Sequence, residues 1–188
     1  RATFLVNQSR VESKLGGAKQ WAEALKAVDR YRKECQDYED YEPERKLYLF
    51  NTVVSIAIGC ASEAGESLND TAKGRELIEL SEEAGRKLSL YKTDEALFDT
   101  DQVRIGKART IATAKLLRQE VLDAGLARIA ASLEAKKPME VLIERRKLLT
   151  RYSEFSNEAK LESRLQDALT LEKTRIQSDT TVRSAKPT

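Results

Sequence analysis

Apolar residues recur along this chain at three- and four-residue spacing, in six or seven stretches separated by polar turns. That period is the mark of amphipathic helices. A first helix is predicted over Phe4 to Leu15, ended by Gly16 and Gly17, as glycine ends helices. The second runs from about Ala18 to Asp37, with Trp21, Ala24, Leu25, Val28, Tyr31, Cys35 and Tyr38 on one stripe. A third, over residues 44 to 65, is the most apolar and carries Val53, Val54, Ala57, Ile58, Ala61 and Ala64. It is expected at the centre of the fold. Asn69 or Asp70 caps a fourth helix over 70 to 91. A long loop is predicted from Lys92 to Asp101, with Ala96, Leu97 and Phe98 tucked back onto the core.

The fifth helix is predicted from Gln102 to Ala135, with Gly125 as a possible break. Pro138 opens a sixth helix, since proline suits a first helical turn. Its expected buried residues are Met139, Leu142, Ile143, Leu149 and Tyr152. Ser156 or Asn157 caps a seventh over 158 to 177, with Leu161, Leu165, Ala168, Leu169 and Ile176 facing inward. The fold class is therefore all-α, six or seven antiparallel helices, in one domain over residues 1–177. Residues 178–188 read as a disordered tail or linker. The longest apolar run, Leu47 to Ala61, is 15 residues. A membrane-spanning helix needs about 20, so a buried core helix is expected and no membrane span in this segment.

The chain also carries an internal echo. Ala18, Lys19, Glu23 and Leu25 align with Ala135, Lys136, Glu140 and Leu142, 117 positions later, while Trp21 is replaced by Pro138 and Ala24 by Val141. A repeated helical unit implies stacking and partner binding rather than a catalytic pocket.

Trp21, Ala24, Val28 and Tyr31 together resemble helix B of a tetratricopeptide repeat, which starts on an aromatic and places a small residue three positions on. Val11 and Leu15 would then belong to helix A, with Gln8 where that family prefers an aromatic. The third and fourth helices would form a second, overlong hairpin. The run Arg-Arg-Lys-Leu-Leu-Thr-Arg-Tyr, residues 145–152, looks like the end of another helix B. A seventh helix would cap the stack. The family's period of about 34 residues is not kept. The resemblance implies a TPR-like α-solenoid used for protein–protein contact or as a scaffold, with a protein partner or neighbouring domains of the same chain. It also implies a setting in the bacterial cell envelope rather than the cytoplasm.

Composition narrows the chemistry further. The chain has 33 basic and 31 acidic side chains, a net charge of +2, so overall charge points to no polyanionic partner. It contains no histidine. That removes Ser-His-Asp and Cys-His catalysis and the usual His-bearing metal sets. No P-loop, G-x-G-x-x-G or G-x-S-x-G occurs. No catalytic, cofactor or metal residue is assigned, and no cofactor is expected. Cys35 and Cys60 read as small core residues, and their spacing does not decide whether they pair. The sequence begins at Arg1 rather than Met, which suggests a processed protein or a piece of a longer one.

Seven residues stand as candidates for partner contact. Trp21 is the only tryptophan, a residue type enriched at binding hot spots. Tyr38 and Tyr41 lie in the acidic stretch Glu34 to Glu44, which could dock a basic peptide but lacks the ligand order of a calcium loop. Arg104 and Lys107 open a basic run over 104–118, and Arg145 and Arg151 belong to a second basic group. These basic faces support the alternative function, a nucleic-acid-binding helical domain. Glu63 and Glu66 are the acidic pair nearest a metal or acid–base reading, which the absence of histidine disfavours.

Overall fold

The computed structural model describes residues 2–16, 19–38 and 43–184. Among the described residues the chain is all-helical, with seven α-helices and no strand. They are α1 (Ala2–Leu15), α2 (Trp21–Cys35), α3 (Glu44–Glu66), α4 (Thr71–Lys87), α5 (Glu95–Glu134), α6 (Pro138–Arg151) and α7 (Ala159–Ser184). Short 3-10 turns follow α4 at Leu88–Tyr91 and α6 at Ser153–Asn157.

Local chemistry sets several of these boundaries. The Asp70 side chain accepts a hydrogen bond from the Lys73 backbone N–H at 3.0 Å and starts α4, as expected of an N-cap. Asp94 does the same for the Leu97 N–H at 2.9 Å. α5 therefore begins at Glu95, and the loop expected over 92–101 shrinks to residues 92–94. Gly125 does not break α5, which is continuous to Glu134. Ser156 and Asn157 fall in a 3-10 turn instead of capping α7. α7 in turn continues as helix to Ser184, past the residue 178 boundary expected for a disordered tail.

The chain divides into two compact units, Arg1–Leu116 and Leu117–Thr188, with the division inside α5. In place of the one domain expected over residues 1–177, each unit has its own hydrophobic core. In the first, α1 packs on α2, α2 on α3, and α3 on α4. α3 is central: Leu49, Phe50, Val53, Ile56, Ala57, Cys60 and Ala64 are all buried. By length and composition α3 could cross a membrane, and more than half of its most apolar stretch is buried inside the unit. The Ser81 hydroxyl, fully buried, donates to the Ala57 carbonyl at 2.6 Å and ties α4 to α3. Asp29 of α2 accepts from Lys87 Nζ at 2.6 Å and from the Tyr91 hydroxyl at 3.0 Å. Both bonds fix the end of α4 against α2.

The first part of α5 seats on small residues. The Cβ that Gly65 lacks would lie 3.5 Å from the Ala112 Cα, and that of Gly74 only 2.5 Å from a Leu116 methyl. Backbones approach closely at such points because no side chain intervenes. Cys35 and Cys60 are free thiols, both buried.

The second unit is smaller. Its core combines Leu122 and Ile129 of α5, Val141 and Leu148 of α6, Phe155 of the 3-10 turn, and Leu161 and Ala168 of α7. Leu148 sits directly on Gly125, where an added Cβ would lie 2.6 Å from its methyls. The expected inner face of α6 needs correction: Met139, Leu142 and Ile143 are exposed, and Val141 and Leu148 are buried instead. On α7, Leu169 and Ile176 are likewise exposed. These residues do form stripes by spacing, but Met139, Leu142 and Leu169 line an open concavity between α6 and α7 instead of closing into the core.

One pair of residues aligned by the echo shares an unusual backbone conformation. Lys19 and Lys136, its aligned lysines, are the two non-glycine residues with positive φ among those described, at 44° and 56°. Lys136 lies just past the end of α5, and Lys19 lies two residues before α2. At the second turn the Lys136 N–H bonds to Leu133 O and the Lys137 N–H to Ser132 O, a Schellman pairing. At the first turn the Lys19 N–H reaches Gly16 O and the Gln20 N–H reaches Lys14 O. Trp21 and Pro138 then open the helices that follow.

Candidate functional site

An open groove of about 720 Å³ runs between the start of α2 and the length of α4. Trp21 stands at its floor because α2 begins there, and because α3 offers Gly59 beneath the indole. A Cβ on Gly59 would lie 2.4 Å from the Trp21 ring. The ring is half-buried. Its Nε1–H donates to Glu63 Oε2 at 2.8 Å, and Lys73 Nζ donates to Glu63 Oε1 at 3.0 Å. The Trp21 and Lys73 hydrogen bonds hold the Glu63 carboxyl below the usual range, the indole bond being the larger cause. Glu63 is thus a charged clamp on the ring, with both oxygens engaged.

α4 supplies the opposite wall. Glu76, Glu79 and Glu83 recur at three- and four-residue spacing and line the groove, with Leu77 and Leu80 between them. Glu83 pairs with Lys87 at 2.7 Å. Among the described residues, no cation lies within ion-pair distance of Glu76 or Glu79, and both are exposed. Lys19, Glu23 and Arg86 complete the charged rim. The groove thus offers an aromatic and aliphatic floor with a charged margin.

Of the seven partner-contact candidates Trp21 alone lines this groove; Glu63, of the acidic pair noted in the sequence, lines it as well. Tyr38 is exposed and packs edge-on against Phe4, ring centres 6.0 Å apart. Tyr41 lies outside the described residues. Glu34, at the start of the acidic stretch, is held charged first by its bond from Arg30 and next by Asn7.

The basic residues fall in different units. Arg104 pairs with Asp101 at 2.5 Å, and Arg109 lies 3.8 Å from Glu82; Lys107 is exposed. In the second unit Arg118 is 3.5 Å from Glu154 and Arg145 is 3.6 Å from Glu162. The Arg151 guanidinium lies 5.9 Å from the Tyr152 ring centre. Much of the basic charge is therefore committed to carboxylates inside its own unit.

Sequence reasoning missed the glutamates of α4. Their spacing was visible, but nothing in the sequence placed them beside Trp21. Among the described residues, no cluster of His, Cys, Asp or Glu is arranged to hold a metal ion. No family model, no curated protein and no solved structure matches this chain.

Proposed function

We propose that this chain is a non-catalytic protein-interaction module, a degenerate TPR-like array of helical hairpins, and that the groove beside Trp21 receives a segment of its partner. One observation carries the reading: the sole tryptophan packs one side on the core and is clamped by Glu63 at the floor of an open, charged-rimmed groove. Interfaces concentrate binding free energy on such half-exposed aromatic anchors, surrounded by polar rims. Sequential packing of α1 to α4 and the repeated left-handed lysine turn favour a hairpin array. Eight of the thirteen groove-lining residues are charged. Small-molecule sites are mostly apolar, so a polypeptide segment is the better match.

Site-specific photocrosslinking in cells tests this. A photoreactive residue replaces Ala22 or Glu79, both in the groove, and separately Lys33 on an exposed part of α2. The expected outcome is a discrete polypeptide adduct from the two groove positions and none from Lys33. Absence of adducts from the groove, or equal adducts from all three positions, overturns the proposal.

A further inference from the structure

We infer that the occupant of the Trp21 groove is an amphipathic segment bearing lysine or arginine. This rests on the interaction-module reading and goes further by fixing the chemistry of the partner.

The sign of the groove is the first argument. Its lining includes five carboxylates, from Glu23, Glu63, Glu76, Glu79 and Glu83, against three cations, Lys19, Lys73 and Arg86. That local balance of −2 stands against +2 for the whole chain. Glu23 and Glu83 are offset by Lys26 at 2.9 Å and Lys87 at 2.7 Å outside the lining, so the negative character of the groove rests on Glu76 and Glu79.

The second argument is which charges remain available. Lys73 is spent on Glu63 at 3.0 Å, and Arg86 lies 3.8 Å from Glu82. Glu76 and Glu79 have no cation at ion-pair distance among the described residues. They sit three residues apart on α4, so both carboxylates project from one side of the helix. A segment lying along α4 would meet them with cationic side chains.

The floor supplies the third argument. Trp21, Ala22, Leu77 and Leu80 present apolar surface next to those carboxylates. An indole face attracts an ammonium or guanidinium group, and it also packs an aliphatic stem. A partner needs both characters at once. A bare divalent cation is a poorer match, because both oxygens of Glu63 are already engaged by Trp21 and Lys73.

Trp21 is the only tryptophan, so its emission reports the groove directly. The probe is a tryptophan-free lysine–leucine amphipathic peptide of about 14 residues, roughly four helical turns. Glutamine–leucine and glutamate–leucine peptides of the same pattern, and spermine, serve as comparisons.

The lysine–leucine peptide is expected to shift Trp21 emission and to bind about tenfold or more tighter than the glutamine–leucine peptide, with affinity falling as salt rises. The double variant Glu76→Lys/Glu79→Lys is expected to abolish that preference. Asp99→Lys/Glu134→Lys, exposed and outside the groove, keeps it. Circular dichroism confirms that both variants fold.

Equal binding of the glutamine–leucine or glutamate–leucine peptide, an unaffected Glu76→Lys/Glu79→Lys variant, or spermine binding as tightly as the peptide would each overturn the cationic-segment inference. The first two leave the groove as a polypeptide site. If no peptide moves Trp21 emission, the groove is no binding site and the interaction-module reading fails with it.

Discussion

α2 and α6 occupy aligned places in the sequence echo yet bury very different amounts of themselves. Each follows a lysine in the left-handed conformation, each opens on the aligned residue of the echo, and each carries a glutamate in its first turn. Two aligned positions stay buried in both: Ala24 with Val141, and Tyr31 with Leu148. At the others the two part. Leu25 is 2% exposed and Leu142 is 38% exposed. Val28 is fully buried, and its counterpart is Arg145, ion-paired with Glu162. α2 is packed by both α1 and α3, so it needs a wide apolar face. α6 also has two helix neighbours, α5 through Gly125 and α7, yet only a narrow seam through Val141 and Leu148 is buried, and polar contacts such as Arg128–Glu144 at 2.7 Å and Arg145–Glu162 at 3.6 Å flank it. The width of the buried face follows from which side chains the sequence places beside the seam: Leu25 and Val28 on α2, Arg145 on α6.

The sharpest way to break this comparison is truncation at one aligned pair. Leu25→Ala is expected to destabilise its unit by about 2–5 kcal/mol, the range for a buried leucine. Leu142→Ala is expected to change stability by less than about 0.5 kcal/mol, as at an exposed site. Urea denaturation followed by circular dichroism measures both, and comparable losses would refute the difference in burial between the two aligned faces.

Overpacking gives the next largest effect. Gly59→Ala drives a methyl into the Trp21 ring and Gly125→Ala drives one into Leu148. Each is expected to cost about 1–3 kcal/mol. Gly106 has no atom within 4 Å of where its Cβ would be. Gly106→Ala is therefore expected to stabilise by about 0.5–1 kcal/mol through helix propensity. Thermal melts of the three variants rank them. Only Gly59→Ala should also alter Trp21 emission.

At the turns themselves the two regions should behave alike. Lys19→Gly and Lys136→Gly relieve the left-handed strain of a side-chain-bearing residue, and each is expected to stabilise by about 1 kcal/mol. A gain at one position and a loss at the other would show that the echo is only a coincidence of sequence.

The smallest effect is on pH dependence. Glu63 is held below the usual carboxylate range mainly by the Trp21 indole, and Glu144 mainly by Lys147 and then Arg128. A depressed carboxyl contributes stability above its unfolded value, and that contribution is lost as pH falls through the folded value. Acid titration below about pH 4.5 should thus weaken both units. It should change Trp21 emission when Glu63 protonates, and Glu63→Gln should remove that fluorescence transition.

The helices were legible in the sequence because each has its own period. The Asp70 cap was legible too. The early start of α5 was not, because Leu97 and Phe98 looked like loop residues tucked inward while Asp94 acted as the cap. Phe98 does pack on the first core, but from within the helix. The face of α6 was misread for a more general reason. Met139, Leu142 and Ile143 form a stripe by spacing, and spacing carries no information about whether another helix lies opposite. The groove was hidden for the same reason: Trp21 and the glutamates of α4 are about 55 residues apart in sequence, and they meet only because α3 presents Gly59 and Glu63 between them.

The two thiols have a practical consequence. Cys35 and Cys60 are buried among core residues, and burial pushes the Cys60 thiol up to about 12. Thiolate, the form that reacts, is scarce at such a site. A cysteine installed on the rim of the groove would then be the dominant nucleophile on the folded chain. Dyes, spin labels or cross-linkers could be attached at one chosen address without first deleting either native cysteine, so that distances from the groove to a bound partner can be measured on an otherwise unaltered protein.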